Sequence, residues 1–290
     1  MAPDQYENLE LYDALTLKAF DVCSAIARYP EPDDPSALKT WQVARDCIRD
    51  GTTMLPGAAG GSTSGAAFEA LDKLLEDWPQ LCSGSTTGEL AYAQSGDLWE
   101  RLMNEPPMGT YARLTAAFLA DRIRSGDKVV ELGAGVGNAS RLLTLPDEVV
   151  YIRSDKNPLL LKQSNLPGTP VRYDFDRPPS IADVDIVFAV NTLHCAADPR
   201  RTLSYIKQML RPGGVLMLAE GEPRPKDGRR WPLDVLFCQF RGWWDRGGFR
   251  TRSTWMDDLC AEGYRDVGYQ RLLAGASDLG GLVWARAEAS

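Results

Sequence analysis

The sequence predicts an α/β fold: a largely parallel sheet preceded by a helical N-terminal region. Three observations carry that expectation. Apolar residues recur at helical spacing through most of the first 125 residues. Between residues 128 and 220, five short apolar runs alternate with helical stretches, the order that lays parallel strands under covering helices. The chain then ends with two strand-like runs joined by a short connector, which reads as a hairpin closing the sheet.

The elements follow in order. Residues 10–29 show helical periodicity, and residues 36–50 do so again with Ser36 as the expected N-cap. The small-residue stretch 55–68 lacks the Gly-Lys-Ser/Thr ending of a phosphate loop and reads as a flexible connection. Helical pattern resumes at "AAFEALDKLLEDW" and continues in "LWERLM" and "YARLTAAFLADRI". The strand candidates are 128–132, 149–154, 170–173, 184–190 and 214–220, with helices expected at 137–144, 157–164 and 199–210. The terminal runs "YRDVGYQRLL" and "LGGLVWARA" are joined by "AGASD". We divide the chain into a helical lid region, 1–105, and a sheet domain, 106–290.

Composition narrows the function. The net charge of -8 is uneven, with 18 acids against 7 bases in residues 1–105 and 22 against 25 in the rest. An acidic chain without a basic stripe argues against nucleic acid as a partner. Six cysteines at positions 23, 47, 82, 195, 238 and 260 match no zinc spacing, and with a single histidine no metal is expected. The N-terminus lacks the basic-then-apolar order of a secretion signal, and no apolar run reaches the roughly 18 residues a membrane span needs. A cytoplasmic protein with reduced thiols and no membrane partner is the expectation.

The stretch "VVELGAGVGNASRLL" (129–143) is a strand, a glycine turn and an expected helix. Gly133 and Gly135 let backbone approach a ligand, and Glu131 stands before them where a dehydrogenase fingerprint is ordinarily apolar. Asp155 comes 22 residues after Gly133, at the end of the second strand, where a carboxylate accepts from ribose hydroxyls. In "YDFD" (173–176), Asp174 suits an adenine amino group and Phe175 the ring face. The plainer alternative makes Asp155 and Asp174 loop or cap acids.

His194 lies just past the fourth strand and Glu220 ends the fifth. These strands are neighbours in such a sheet, so both side chains reach the carboxyl edge where ligands bind. A histidine held by a carboxylate is a general-base arrangement. Glu222 rivals Glu220 as partner, and a structural histidine bonded to a backbone carbonyl is the alternative to a base.

Together, "ELGAGVG", Asp155, "YDFD", "DIVFAVNTLH" and "LRPGGVLMLAE" resemble the successive motifs of class I S-adenosylmethionine-dependent methyltransferases. The resemblance implies a Rossmann-like seven-stranded sheet with an antiparallel last strand. It implies S-adenosyl-L-methionine as cofactor, its amino-acid end over Gly133 and Gly135, with the backbone around Asn191 serving the same end. More narrowly, residues 188–220 followed by "GWWDRGGFRTRSTWMDDLCAEGY" (242–264) are similar to the C-methyltransferase domains of polyketide synthases, with Cys195 where that family has alanine. The similarity reaches upstream to about residue 70; unlike that family, the sequence shows no ketosynthase, acyltransferase or carrier segment, so a free-standing form of the domain is expected. It implies that His194 removes a proton from carbon beside a thioester carbonyl, with Glu220 as its partner.

The expected function is therefore C-methylation of an acidic carbon, such as a β-ketoacyl group, in secondary metabolism. Methylation of oxygen, nitrogen or a prenyl alkene carbon is an alternative, as is a non-catalytic cofactor-binding protein; a dehydrogenase would instead bind nicotinamide. Phe240, Trp243 and Trp244 are candidate walls of the substrate pocket, with Tyr111 contributing from the lid side. Phe237 belongs to the same aromatic stretch, and at least half of these aromatics are expected to be plain core. The partner is a small-molecule or carrier-protein-bound acyl substrate. Arg224, Lys226, Arg229 and Arg230 suit either a phosphopantetheine arm or acidic carrier, or a solvated loop.

Overall fold

The computed structural model describes residues 4–51, 64–162, 165–223, 232–240, 249–275 and 277–288. After a two-residue strand β1 (Gln5–Tyr6), the N-terminal region is helical: α1 (Leu9–Ile26), α2 (Pro35–Asp50), α3 (Ala66–Cys82), α4 (Gly88–Ala93) and α5 (Leu98–Asn104). Their apolar stripes meet in one core that buries Leu15, Ile26, Leu71, Leu74 and Trp78. The N-cap of α2 lies two residues earlier than the sequence suggests. Asp34, not Ser36, is its N-cap: Oδ1 of Asp34 accepts from the backbone N–H of Ser36 at 2.9 Å and of Ala37 at 3.1 Å, with Pro35 opening the helix. The proline explains the difference, because it is favoured at the first helical position and moves the cap ahead of it.

The sheet domain opens with α6 (Gly109–Ala120) and continues through β2 (Lys128–Leu132), β3 (Val150–Asp155), β4 (Thr169–Arg172), β5 (Val184–Val190), α7 (Pro199–Met209) and β6 (Leu210–Gly221). It ends with α8 (Val235–Cys238), α9 (Arg252–Ala261), β7 (Tyr264–Ala274) and β8 (Ser277–Ala287). Strand order across the sheet is β1-β7-β8-β6-β5-β2-β3-β4. β8 alone runs antiparallel to both neighbours, so the terminal hairpin inserts the last strand inside the sheet rather than at its edge. β5 is apolar throughout except for Asp185 near its start, because it lies inside the sheet and is covered on both faces. One face packs on α7 and α9 through Leu203, Ile206, Trp255 and Leu259; the other packs on α6 through Phe118 and Leu119.

Two expected helices do not form. Residues 137–144 make turns and one 3₁₀ turn at Ser140–Leu142, and 157–162 make a 3₁₀ turn at Leu160–Lys162. The first segment has little room before Pro146 and is rich in Gly, Asn and Ser, leaving too few helix formers in a row to offset nucleation. The second has Pro158 followed by good helix formers, and nothing in the structure explains why only a 3₁₀ turn forms there. β1 was not anticipated from sequence; it adds a short parallel strand beside β7. The segment around α8 packs with the N-terminal helices through Leu233, Leu236 and Phe237, so the chain returns to the helical layer between β6 and α9.

The cap assignment is testable. Asp34→Ala should cost about 1 kcal/mol and lower Tm by about 2–4 °C in a chain of this size, whereas Ser36→Ala should stay within about 0.5 kcal/mol. Thermal unfolding of the two variants checks it.

Candidate active site

Glu220 stands next to the end of β6, at the carboxyl edge of the sheet, and is 3% exposed. Its Oε1 accepts from the backbone N–H of Thr192 at 3.0 Å and of Leu193 at 2.7 Å. Its Oε2 faces Nδ1 of His194 at 2.6 Å. One carboxylate thus shapes the turn after β5 and orients the histidine that this turn carries. The rival Glu222 is engaged elsewhere, accepting from the N–H of Arg252 at the start of α9.

The imidazole is fully buried, with Phe249 packed against it at a ring-centroid distance of 4.9 Å. Burial alone would lower the pKa of His194. The facing carboxylate of Glu220, with hydrogen bonding from Cys195 and Glu220, outweighs it and raises the pKa from its ordinary 6.5 to about 10.

The same turn touches the glycine loop. Thr192 Oγ1 donates to the carbonyl of Gly133 at 3.3 Å, and a Cβ on Gly133 would lie 2.2 Å from Thr192 Cγ2. Gly133 is therefore glycine because the histidine turn packs on it. Gly135, at φ 54°, differs: its nearest neighbour to a notional Cβ is Gly133 O at 3.9 Å, so the space above it is open. Its N–H donates to Asp155 Oδ2 at 3.0 Å, while Asp155 Oδ1 accepts from Asn157 N–H at 2.8 Å.

Beneath the loop Glu131 is buried. Its Oε2 accepts from Ser140 Oγ at 2.5 Å and from the Tyr151 hydroxyl, and its register partner on β3 is the buried Arg153. Burial raises the Glu131 carboxyl to about 7, the two hydrogen bonds and Arg153 holding it from going higher. Glu131 thus ties β2 to Tyr151 of β3 and to the 3₁₀ turn that follows the loop, through Ser140.

The remaining candidates are distributed as follows. Asp174 Oδ1 accepts from Asp176 N–H at 3.1 Å, and Phe175 is buried in the core on the α7 face. Asn191 directly follows β5 at φ 47°, its N–H donated to the Ala219 carbonyl at 2.8 Å. Tyr111 is buried and donates its hydroxyl to the Leu279 carbonyl at 2.5 Å, fastening α6 to β8. Phe240 sits in an aromatic cluster with Tyr92 and Trp99, at 5.3 and 5.2 Å, within the helical layer, and Phe237 is core there too. Trp243, Trp244, Arg224, Lys226, Arg229 and Arg230 lie outside the described residues. Among the described residues no His, Cys, Asp or Glu group is arranged to hold a metal, and no helix is long and apolar enough to cross a membrane.

Comparison with known proteins places this geometry. The family model described as a methyltransferase domain matches residues 130–218, from the glycine-loop strand to the strand that carries Glu220. The non-reducing polyketide synthase pkiA of Emericella nidulans is 31% identical over 230 residues, which is 68% of this chain and 9% of that protein. The chain belongs to the class I S-adenosylmethionine-dependent methyltransferases. It is related to the methyltransferase domains of polyketide synthases, and spans only a small part of the length of such relatives. Two crystal structures share the fold of this methyltransferase. The CurJ carbon methyltransferase has a TM-score of 0.72 at 16% identity, covering 97% of this chain and 91% of that one. The trans-methyltransferase CalH in complex with SAH has a TM-score of 0.71 at 15% identity, covering 96% and 90%.

The methyltransferase's loop fits the cofactor of its family: the space above Gly135 is open, and Oδ1 of Asn191 is buried with no hydrogen-bond partner. Sequence reasoning missed Thr192, the clip between the two turns, and Phe249, which covers the histidine. Thr192 sits in the quoted "NTLH", but only the register of β2 and β5 brings it onto Gly133. Gly135→Ala should leave the fold intact, with a Tm loss of a few degrees from left-handed strain of about 1–2 kcal/mol, and weaken cofactor binding at least tenfold. Gly133→Ala should add a steric cost of about 1–3 kcal/mol to the same strain and unfold at a lower temperature than Gly135→Ala. Calorimetric titration and thermal unfolding of both variants check this.

Proposed function

We propose that this methyltransferase methylates an acidic carbon of an acyl substrate, such as the carbon beside the carbonyl of a β-ketoacyl thioester, with His194 as the general base and Glu220 as the residue that holds it. The observation that carries this reading is the 2.6 Å contact between Glu220 Oε2 and His194 Nδ1, on a turn that packs against the glycine loop. S-Adenosylmethionine, when bound, supplies a methyl carbon made electrophilic by its sulfonium. The backbone at Gly133 and Gly135 would hold its amino-acid end together with Asn191; Asp155 would accept from the ribose, Asp174 from the adenine amino group, and Phe175 would pack on the ring. Glu131 would support them from beneath the loop.

The proton chemistry belongs to the chain. With its Nδ1–H donated to Glu220, the neutral ring carries its basic lone pair on Nε2. When the ring takes a proton from the acceptor carbon, the imidazolium that forms lies against a carboxylate already in place, so no reorganisation accompanies the transfer. The raised pKa makes the ring a stronger base, suited to a carbon acid, and leaves only a small fraction of it neutral near pH 7. Burial of the pair, with Phe249 over the ring, excludes water from the nascent carbanion. Phe240, Trp243, Trp244 and Tyr111 stand as candidate contributors to the substrate pocket. The relationship to polyketide synthases favours an acyl thioester, free or carrier-bound, over a phenol or an indole.

A labelled-methyl assay with β-ketoacyl thioesters, phenols and prenylated indoles tests the acceptor; turnover of phenols or indoles alone would contradict the reading. His194→Ala should lower kcat about 10²- to 10⁴-fold with cofactor affinity retained. The pH profile has a definite sign. Below the raised pKa the ring is mostly protonated, so kcat/KM should climb close to tenfold per pH unit from 7 towards 9. Glu220→Gln removes the attraction and keeps the burial, so its half-maximal pH should move down. A wild-type profile that is flat over that range would exclude His194 as the base.

A further inference from the structure

Two side-chain oxygens beside the glycine loop are buried without a hydrogen-bond partner: Oδ1 of Asn138 and Oδ1 of Asn191. Asn138 follows the loop directly, in the turn between Gly137 and the 3₁₀ turn at Ser140–Leu142. Asn191 flanks it through its neighbour Thr192, whose hydroxyl reaches the Gly133 carbonyl. Buried acceptors left unmade are uncommon in folded proteins and each calls for a cause. Two of them, on the two turns that meet at Gly133, call for a group that brings donors.

The chemistry of the missing donor can be narrowed. An ammonium carries three N–H donors and no acceptor, and hydrogen bonds from a charged donor are the strong ones. The other donor-bearing groups of S-adenosylmethionine, the ribose hydroxyls and the adenine amine, have Asp155 and Asp174 as acceptors in the reading above. The α-ammonium at the amino-acid end remains. We infer that Asn138 is a cofactor-binding residue, which accepts a hydrogen bond from the α-ammonium of S-adenosylmethionine alongside Asn191. This assignment rests on the cofactor site proposed above and adds to it a residue that the glycine pattern does not mark.

A pair of ligands separates this role from a structural one. S-Adenosylhomocysteine carries the amino-acid end; 5′-methylthioadenosine shares the nucleoside and thioether and lacks it. In calorimetric titrations Asn138→Ala should weaken S-adenosylhomocysteine about 10- to 100-fold and leave methylthioadenosine unchanged, which also shows that the loop is intact. Asn138→Asp, which keeps an acceptor of the same reach, should restore most of the lost affinity. Equal weakening of both ligands would mean that Asn138 only shapes the loop, and unchanged S-adenosylhomocysteine affinity would mean that it does not touch the ligand. Either result overturns the inference. Failure of the unaltered protein to bind either ligand would overturn the cofactor site itself and this residue with it.

Discussion

The carboxylate of Glu220 is the constraint on which the site depends. Removing an ionised carboxylate from water costs several kcal/mol unless its lone pairs are met. Here they are met by two backbone N–H groups and one ring nitrogen, all from three consecutive residues, 192–194. The carboxylate therefore acts first on the backbone, as the anchor that closes the turn after β5, and through that turn on the imidazole. Neither role could be filled by a residue at a neighbouring position, because Glu220 is brought to the turn by the pairing of β5 with β6, in which Val190 lies opposite Ala219.

From this anchor the contacts run without a gap to the glycine loop. Thr192 clips the turn to Gly133, and Gly135 is held by Asp155 at the end of β3. The loop is followed by turns rather than an α-helix, and the support such a helix would give comes from the buried group of Glu131, Ser140 and Tyr151. His194 and the glycine loop are thus parts of one hydrogen-bonded rim at the carboxyl edge of the sheet. In the proposed reaction a change at either end should be felt at the other, since that edge would position both the methyl donor and the proton acceptor.

Much of this was legible in the sequence. Strands β2 and β5 follow from short, mostly apolar runs, and the hairpin of β7 and β8 from two strand-like runs around a short connector. The juxtaposition of His194 with Glu220 follows from strand order alone, because each lies at or just past the end of one of two neighbouring strands. What was not legible depends on contacts that a linear pattern does not contain. Asp34 displaced Ser36 as cap because a proline stands between them. The crossover at 137–144 has apolar spacing compatible with a helix, but too few good helix formers between its glycine and proline. Residue type could not say where each aromatic would lie: Phe240 packs with Tyr92 and Trp99 in the helical layer, while Phe249, nine residues on, came to lie on the histidine. Nor does a strand carboxylate announce its facing, and Glu131 turned to Ser140 and Tyr151 beneath the loop.

The presence of a single histidine in 290 residues makes the central claim directly measurable. In a ¹H–¹⁵N spectrum of the protein free of added histidines, the imidazole region reports one ring. The account predicts a titration midpoint well above 6.5, with the proton of the neutral form held on Nδ1 against Glu220. A midpoint near 6.5, or a neutral ring protonated on Nε2, would contradict it.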